Sequence, residues 1–200
     1  MSHERNGNDI AAVLRHLGME RADIAGYSHG GDAAIWMALL HPEMVRNLIV
    51  IATAVARDGW YPEAQEGMSA VSGALAEPMK ATPIFKDYGH PDQFALFLDR
   101  MGDLTRKGWD WRAEVRALQM PVLLIFADHD SVSMQHIAEV FALFGGGISE
   151  PGWIDTKFSR ARLAIVPGYS HYNLGQAPEV AEVIERYLTQ PTSSATQFAP

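Results

Sequence analysis

A serine among glycines, Gly26-Tyr27-Ser28-His29-Gly30-Gly31, ends the apolar run that opens "ADIAGYSHGGDAAIWMALLHPE" (residues 22–43), and a pattern with helical spacing begins at once. A sharp strand-to-helix turn of this kind holds its central residue at positive φ and lifts the side chain clear of the backbone, which suits a nucleophilic hydroxyl. On this reading Gly26 and Gly30 are steric necessities where helix and strand approach, and Gly31 gives further room at the helix start. The amide of His29 then points from the helix N-terminus, where backbone dipoles stabilise an oxyanion. Taken alone, the pattern also fits an ordinary glycine-rich turn or a phosphate-binding loop.

A serine hydroxyl is a weak nucleophile at neutral pH and needs a general base, which in turn needs a group to fix its tautomer. His171 follows a strand-like run and a Pro-Gly turn in "LAIVPGYSHYNL", and Asp128 and Asp130 lie at or past the end of another in "PVLLIFADHDSV". The chain order Ser, Asp, His is the one that accompanies this elbow. The absence of cysteine excludes disulfides, thiolate metal sites and a cysteine nucleophile. The "DHD" run at 128–130 lacks the spaced ligands of a closed metal site, so neither metal nor cofactor is expected. His3, His16, His41 and His136 are read as solvated, with His41 ending a helix before a proline.

These residues must be positioned by alternating strands and helices. Asn8 to Leu17 puts Ile10, Val13, Leu14 and Leu17 on one helical face, ended by Gly18. Asp32 to Leu40 reads as a helix stopped at His41-Pro42. "VRNLIVIATA" is almost continuously apolar, as a strand covered on both faces would be. From Arg57 to about Val115 the texture changes to Met, Trp, Tyr, Pro and Gly with weak helical patterns, which predicts an inserted helical segment. Strand order returns at "PVLLIFAD", followed by the helix "MQHIAEVFALF", the glycines 145–147, an irregular connection through Pro151-Gly152-Trp153, the His171 strand and the helix "APEVAEVIERYL". The prediction is an α/β fold with a parallel sheet of about four strands and flanking helices. It divides into core residues 1–56, an insertion at 57–115, core residues 116–189 and a polar, disordered tail at 190–200.

Composition limits the function classes. With 200 residues, 48% of them hydrophobic, the chain can bury one sizeable core. A net charge of −8 without a basic block argues against nucleic-acid binding. No run approaches the roughly 18 apolar residues that span a bilayer, and the opening lacks a secretory core, so a soluble cytoplasmic protein without a membrane partner is expected.

The pieces "ADIAGYSHGG", "HPEMVRNLIVIATA", "MPVLLIFADHD" and "LAIVPGYSHYNLGQAPEVAEVIERYL" together resemble the α/β-hydrolase superfamily, in particular its small serine hydrolases with a helical cap. The resemblance runs from about Asn8 to Leu188. It implies the C-terminal part of that fold with residues 57–115 as cap, Ser28 as nucleophile, His171 as base, and an acid three residues after a strand-ending glycine. Ala127 occupies the glycine's place, making Asp130 the match. Asp128 is the alternative within the same loop, otherwise a strand-end residue contacting loop amides, and Asp58 matches members that take the acid after the preceding strand. A proline often found after the acid is absent, with Met134 and Gln135 in its place. Members that break carbon–halogen bonds carry aspartate at the elbow, so Ser28 implies acyl transfer. Trp60, Tyr61, Met68, Met79, Trp109 and Trp111 are candidates to line an apolar pocket or to fill the cap's own core, with Trp60 and Tyr61 the expected substrate contacts.

The resemblance also implies three to four strands ahead of the first helix, with a loop carrying a second oxyanion amide, and residues 1–21 hold no counterpart. The elbow strand, Ala22 to Gly26, is then expected to expose an unpaired edge that drives self-association. Two functions follow: a serine hydrolase acting on a small ester or related acyl substrate, or a truncated, weakly active or inactive hydrolase-like module acting through association.

Overall fold

The computed structural model describes residues 1–82, 85–86, 88–148, 150 and 159–189. Four strands, β1 (Ala22–Tyr27), β2 (Val45–Ile51), β3 (Val122–His129) and β4 (Ala161–Ser170), form one sheet in the order β1-β2-β3-β4, every pair parallel. The expected four-stranded parallel α/β sheet is therefore present. Its two faces follow from the period of two along each strand. Leu48, Val50, Leu124 and Phe126 belong to a core shared with the helices α1 (His3–His16), α2 (His29–Leu40) and α5 (Met134–Leu143), whereas Ile49, Ile51, Leu123 and Ile125 point to a smaller core with Val180 of α6 (Pro178–Thr189). Between β2 and β3 the described chain is helical, with α3 (Pro62–Ser69), α4 (Phe94–Arg106) and shorter turns. Residues 190–200 and the Pro151-Gly152-Trp153 connection lie outside the described residues.

α2 carries small buried residues, Gly31, Ala34 and Ala38, that let it lie close to the sheet, and α1 lies across α2. The crossing is tight at Gly7, where a Cβ would come within 2.7 Å of the Met37 amide nitrogen. The stripe that α1 buries is consequently Gly7, Ala11 and Leu14, with Ile10 partly covered. Val13 and Leu17, expected on that stripe, are exposed. Hydropathy underrates Gly7 and Ala11 because their worth here is their small size.

The expectation of solvated histidines also fails at several positions. His3 opens α1 with its side chain only 13% exposed, its ring edge-on to Trp111 at 4.6 Å. His136 is buried, with Nε2 accepting the Val55 amide at 3.2 Å and Nδ1 2.8 Å from Glu139 Oε2. Both lie where helices meet, so tertiary packing decides their burial. His41 ends α2 as expected, but its side chain is only 17% exposed and bonds Asn8 of α1 at 2.8 Å.

Among the described residues no helix is long and apolar enough to cross a membrane.

Candidate active site

β1 runs straight into α2 through Ser28, which holds φ 52° and ψ −120°, one of two non-glycine residues at positive φ among the described residues. Such a conformation costs on the order of 1–3 kcal/mol and persists only where its surroundings enforce it. Those surroundings are visible. The Ser28 amide donates to the Ile51 carbonyl at 2.8 Å, and the buried Thr53 hydroxyl lies 3.0 Å from the Ser28 carbonyl and 2.9 Å from that of Ile51.

The glycine roles differ from expectation. A Cβ on Gly26 would sit 2.1 Å from the Gly30 carbonyl oxygen, and one on Gly31 would sit 2.0 Å from Thr53 Oγ1, whereas one on Gly30 would meet nothing within 4 Å. The steric necessities are therefore Gly26 and Gly31. Gly30 faces open space because the helix has already turned that position away from β1 and β2.

Ser28 Oγ lies 3.0 Å from His171 Nε2, and His171 Nδ1 lies 3.0 Å from Asp130 Oδ1. The Asp130 side chain is fully buried and also accepts the amides of Ala127 and Val132, each at 3.2 Å, so its lone pairs are aimed by the turn that ends β3. His171 sits in the loop after β4, held between the rings of Tyr27, stacked at 5.7 Å, and Trp60, edge-on at 5.0 Å. The Tyr27 hydroxyl donates to the His171 carbonyl. Burial, then the nearby Asp130, raises the Tyr27 phenol above its ordinary pKa, which keeps it a donor. His29 is the first residue of α2, so its amide has no partner one turn back and is available to a ligand.

The other candidate acids stand elsewhere. Asp128 accepts the Gly168 amide at 2.8 Å and pairs with the exposed His129 at 3.0 Å, matching the strand-end role foreseen for it. Those contacts, the His129 bond first, hold its carboxyl below the usual range. Asp58 is exposed and bonds Arg112 at 2.6 Å, and Arg112 also reaches Asp110 and Glu139.

A cavity of about 380 Å³ opens over Ser28 and His171. Trp60, Met68 and Trp109 line it as expected, joined by Val71, Met101 and Thr105 from the same helical stretch and by Tyr172 beside His171. Tyr61 is absent from the lining and half exposed, and Met79 is absent too. Trp111 is buried in the main core against Trp36 at 5.8 Å. Adjacent aromatic positions diverge here because the chain turns at the Arg57–Gly59 3-10 turn, sending Trp60 inward and Tyr61 outward.

His29 and Asp32, one helical turn apart, also border the cavity, with His29 Nδ1 3.0 Å from Asp32 Oδ2. Burial raises the Asp32 carboxyl above its ordinary pKa, partly offset by the His29 bond. His3 stands beside them; burial, then the neighbouring His29, lowers its pKa to about 4. No local motif marks this group, because its members lie on two helices.

A parallel sheet whose first described strand ends in a strained Ser turn, with His and Asp presented from later strand ends, defines the α/β-hydrolase class. No family model matches the chain. A Haemophilus influenzae protein assigned to the esterase/lipase class is 30% identical over 203 residues, covering 95% of this chain and 68% of that protein. The carboxylesterase YbfK of Bacillus subtilis is 30% identical over 139 residues, covering 63% of this chain and 47% of the relative. The crystal structure of that carboxylesterase superposes with a TM-score of 0.63 at 20% identity, covering 94% of this chain and 67% of the other. An enol-lactonase from Burkholderia xenovorans superposes at 0.62 and 18% identity, with 95% and 74% covered. The chain belongs to the α/β-hydrolase superfamily.

Proposed function

We propose that the chain is a serine hydrolase that cleaves a small ester or related acyl substrate, with Ser28 as nucleophile, His171 as base and then acid, and Asp130 fixing the imidazole. The observation that carries the reading is the unbroken Ser28–His171–Asp130 contact chain at 3.0 Å each, beginning on a residue held at positive φ. The hydroxyl proton passes to His171 Nε2 as Oγ attacks the acyl carbon. The tetrahedral oxyanion takes the His29 amide, and the leaving alkoxide recovers the proton from His171. Water then repeats the sequence on the acyl-enzyme. Residues 57–115 act as a cap, since Trp60, Met68, Met101 and Trp109 supply the cavity's apolar wall.

The test is a p-nitrophenyl ester series from acetate to dodecanoate, with and without phenylmethylsulfonyl fluoride. We expect saturable hydrolysis abolished by the inhibitor, with kcat/KM rising from acetate to butyrate or hexanoate as the apolar wall is filled and falling for the dodecanoate. Hydrolysis that is first order in ester at all concentrations and insensitive to the inhibitor would remove this reading.

The second reading, association, is favoured by one observation: β1 ends the sheet among the described residues, and Ala25 on it is exposed. Unpaired strand edges recruit other strands. Light scattering after size exclusion is expected to give a dimer or larger species that Ala25→Lys shifts toward monomer. A monomer at every concentration for the unsubstituted chain excludes the edge as an interface.

A further inference from the structure

Beside the nucleophile turn, three side chains that the hydrolytic reaction does not use converge from two helices. His3 comes from the first turn of α1, and His29 and Asp32 from the first turn of α2. One ligand atom of each lies within 4.8 Å of the other two. His29 Nδ1 stands 3.0 Å and His3 Nδ1 3.7 Å from the same carboxylate oxygen, Asp32 Oδ2. We propose that His3, His29 and Asp32 form a binding site for a divalent late transition metal, Zn²⁺ being the best match, which fastens α1 to the nucleophile helix at the edge of the substrate cavity.

Several independent features support this. Two imidazoles and a carboxylate are the donor set that zinc takes up, at about 2.0–2.2 Å from each atom, which puts tetrahedral ligand atoms about 3.3 Å apart. The two histidine–Asp32 distances of 3.0 and 3.7 Å straddle that spacing and the two imidazoles offer ligand atoms within 4.8 Å of each other, so side-chain rotation without backbone movement is what closing the site requires. His3 Nδ1 is buried and makes no hydrogen bond, an unmet polar atom of the kind a native interior rarely keeps without a partner. A metal supplies that partner.

The ring of His29 is also supported on its far side, where Nε2 lies 3.3 Å from the Asn6 side-chain amide. With Nδ1 on the metal, Nε2 carries the proton, and the Asn6 amide turned over presents its oxygen to accept it, the usual support for a metal-bound imidazole. The Gly7 crossing, one turn after His3, fixes the distance between the two helices. A cation near a helix N-terminus opposes a dipole equivalent to roughly half a charge, but the full charge of Asp32 outweighs it. His29 and Asp32 border the cavity that Ser28 also borders, so the fourth position is open to water or to a polar group of a bound ligand.

The test uses the full chain after chelator treatment, titrated with ZnCl₂ by calorimetry and followed by thermal denaturation. We expect one equivalent bound with a micromolar or tighter Kd, and a Tm raised by about 5 °C or more at 100-fold excess over Kd. His3→Ala and Asp32→Asn should each weaken binding at least 100-fold. His129→Ala, which removes the exposed Asp128–His129 pair, should leave it unchanged. Should Asp32→Asn fail to fold, His3→Ala at the start of the first helix still decides. Binding weaker than about 1 mM, binding that survives His3→Ala, or binding lost in His129→Ala overturns the proposal. None of these readouts depends on ester hydrolysis, so the metal site and the hydrolase reading can fail separately.

Discussion

Ser28→Ala is expected to lower ester turnover by about 10⁶-fold and to abolish labelling by a fluorophosphonate probe, while leaving the thermal melt nearly unchanged. The magnitude is what removal of the nucleophile costs in serine proteases whose triad acts as a unit. It corresponds to about 8 kcal/mol of barrier at 1.36 kcal/mol per tenfold. The stability expectation has a separate basis. Alanine keeps a Cβ and so keeps the strain of φ 52°, and the backbone bonds that hold the turn, Ser28 N to Ile51 O and Thr53 Oγ1 to Ser28 O, do not involve the lost hydroxyl. The activity loss can then be read as chemistry rather than unfolding. Labelling retained in Ser28→Ala, or a loss below about tenfold, would show that another group attacks the acyl carbon.

How far the sequence disclosed this arrangement depended on the range of the interaction involved. β2 and β3 were legible because apolar residues on both faces of a covered strand leave a continuous run. The contacts of Ser28, His171 and Asp130 were legible because each follows a strand and parallel strands put their carboxyl ends on one edge. What stayed hidden depends on which distant side chain arrives at a given point. Gly31, rather than Gly30, is the tight position because the Thr53 side chain packs there. His136 is buried because Val55 and Gly59 close over it, and a Cβ on Gly59 would meet its ring at 2.1 Å. The α1 stripe ran through Gly7 and Ala11, which hydropathy scores as weak. Trp60 and Tyr61 are neighbours in sequence with opposite fates, and only the turn before them decides which one faces the cavity.

The acid supplies the second large expected effect, and it separates two carboxylates two residues apart. Asp130→Asn should lower kcat by about 10⁴-fold, the cost of the wrong imidazole tautomer when the orienting carboxylate of a serine protease becomes an amide. Here an asparagine keeps one of the two turn contacts, its oxygen accepting the Ala127 amide, while the Val132 amide, which shares Oδ1 with His171 Nδ1, then faces the new NH2 group. The amide nitrogen facing His171 would donate to Nδ1, leaving the proton on Nε2, where Ser28 needs an acceptor. Asp128→Asn, by contrast, should cost less than about tenfold. Its oxygen accepts the Gly168 amide, which asparagine can also do, and its partner His129 is exposed. Steady-state kinetics on one p-nitrophenyl ester with both variants decides the matter. A large loss in Asp128→Asn with a small one in Asp130→Asn would mean that the working enzyme draws its acid from the other carboxylate and rearranges the end of β3 to do so.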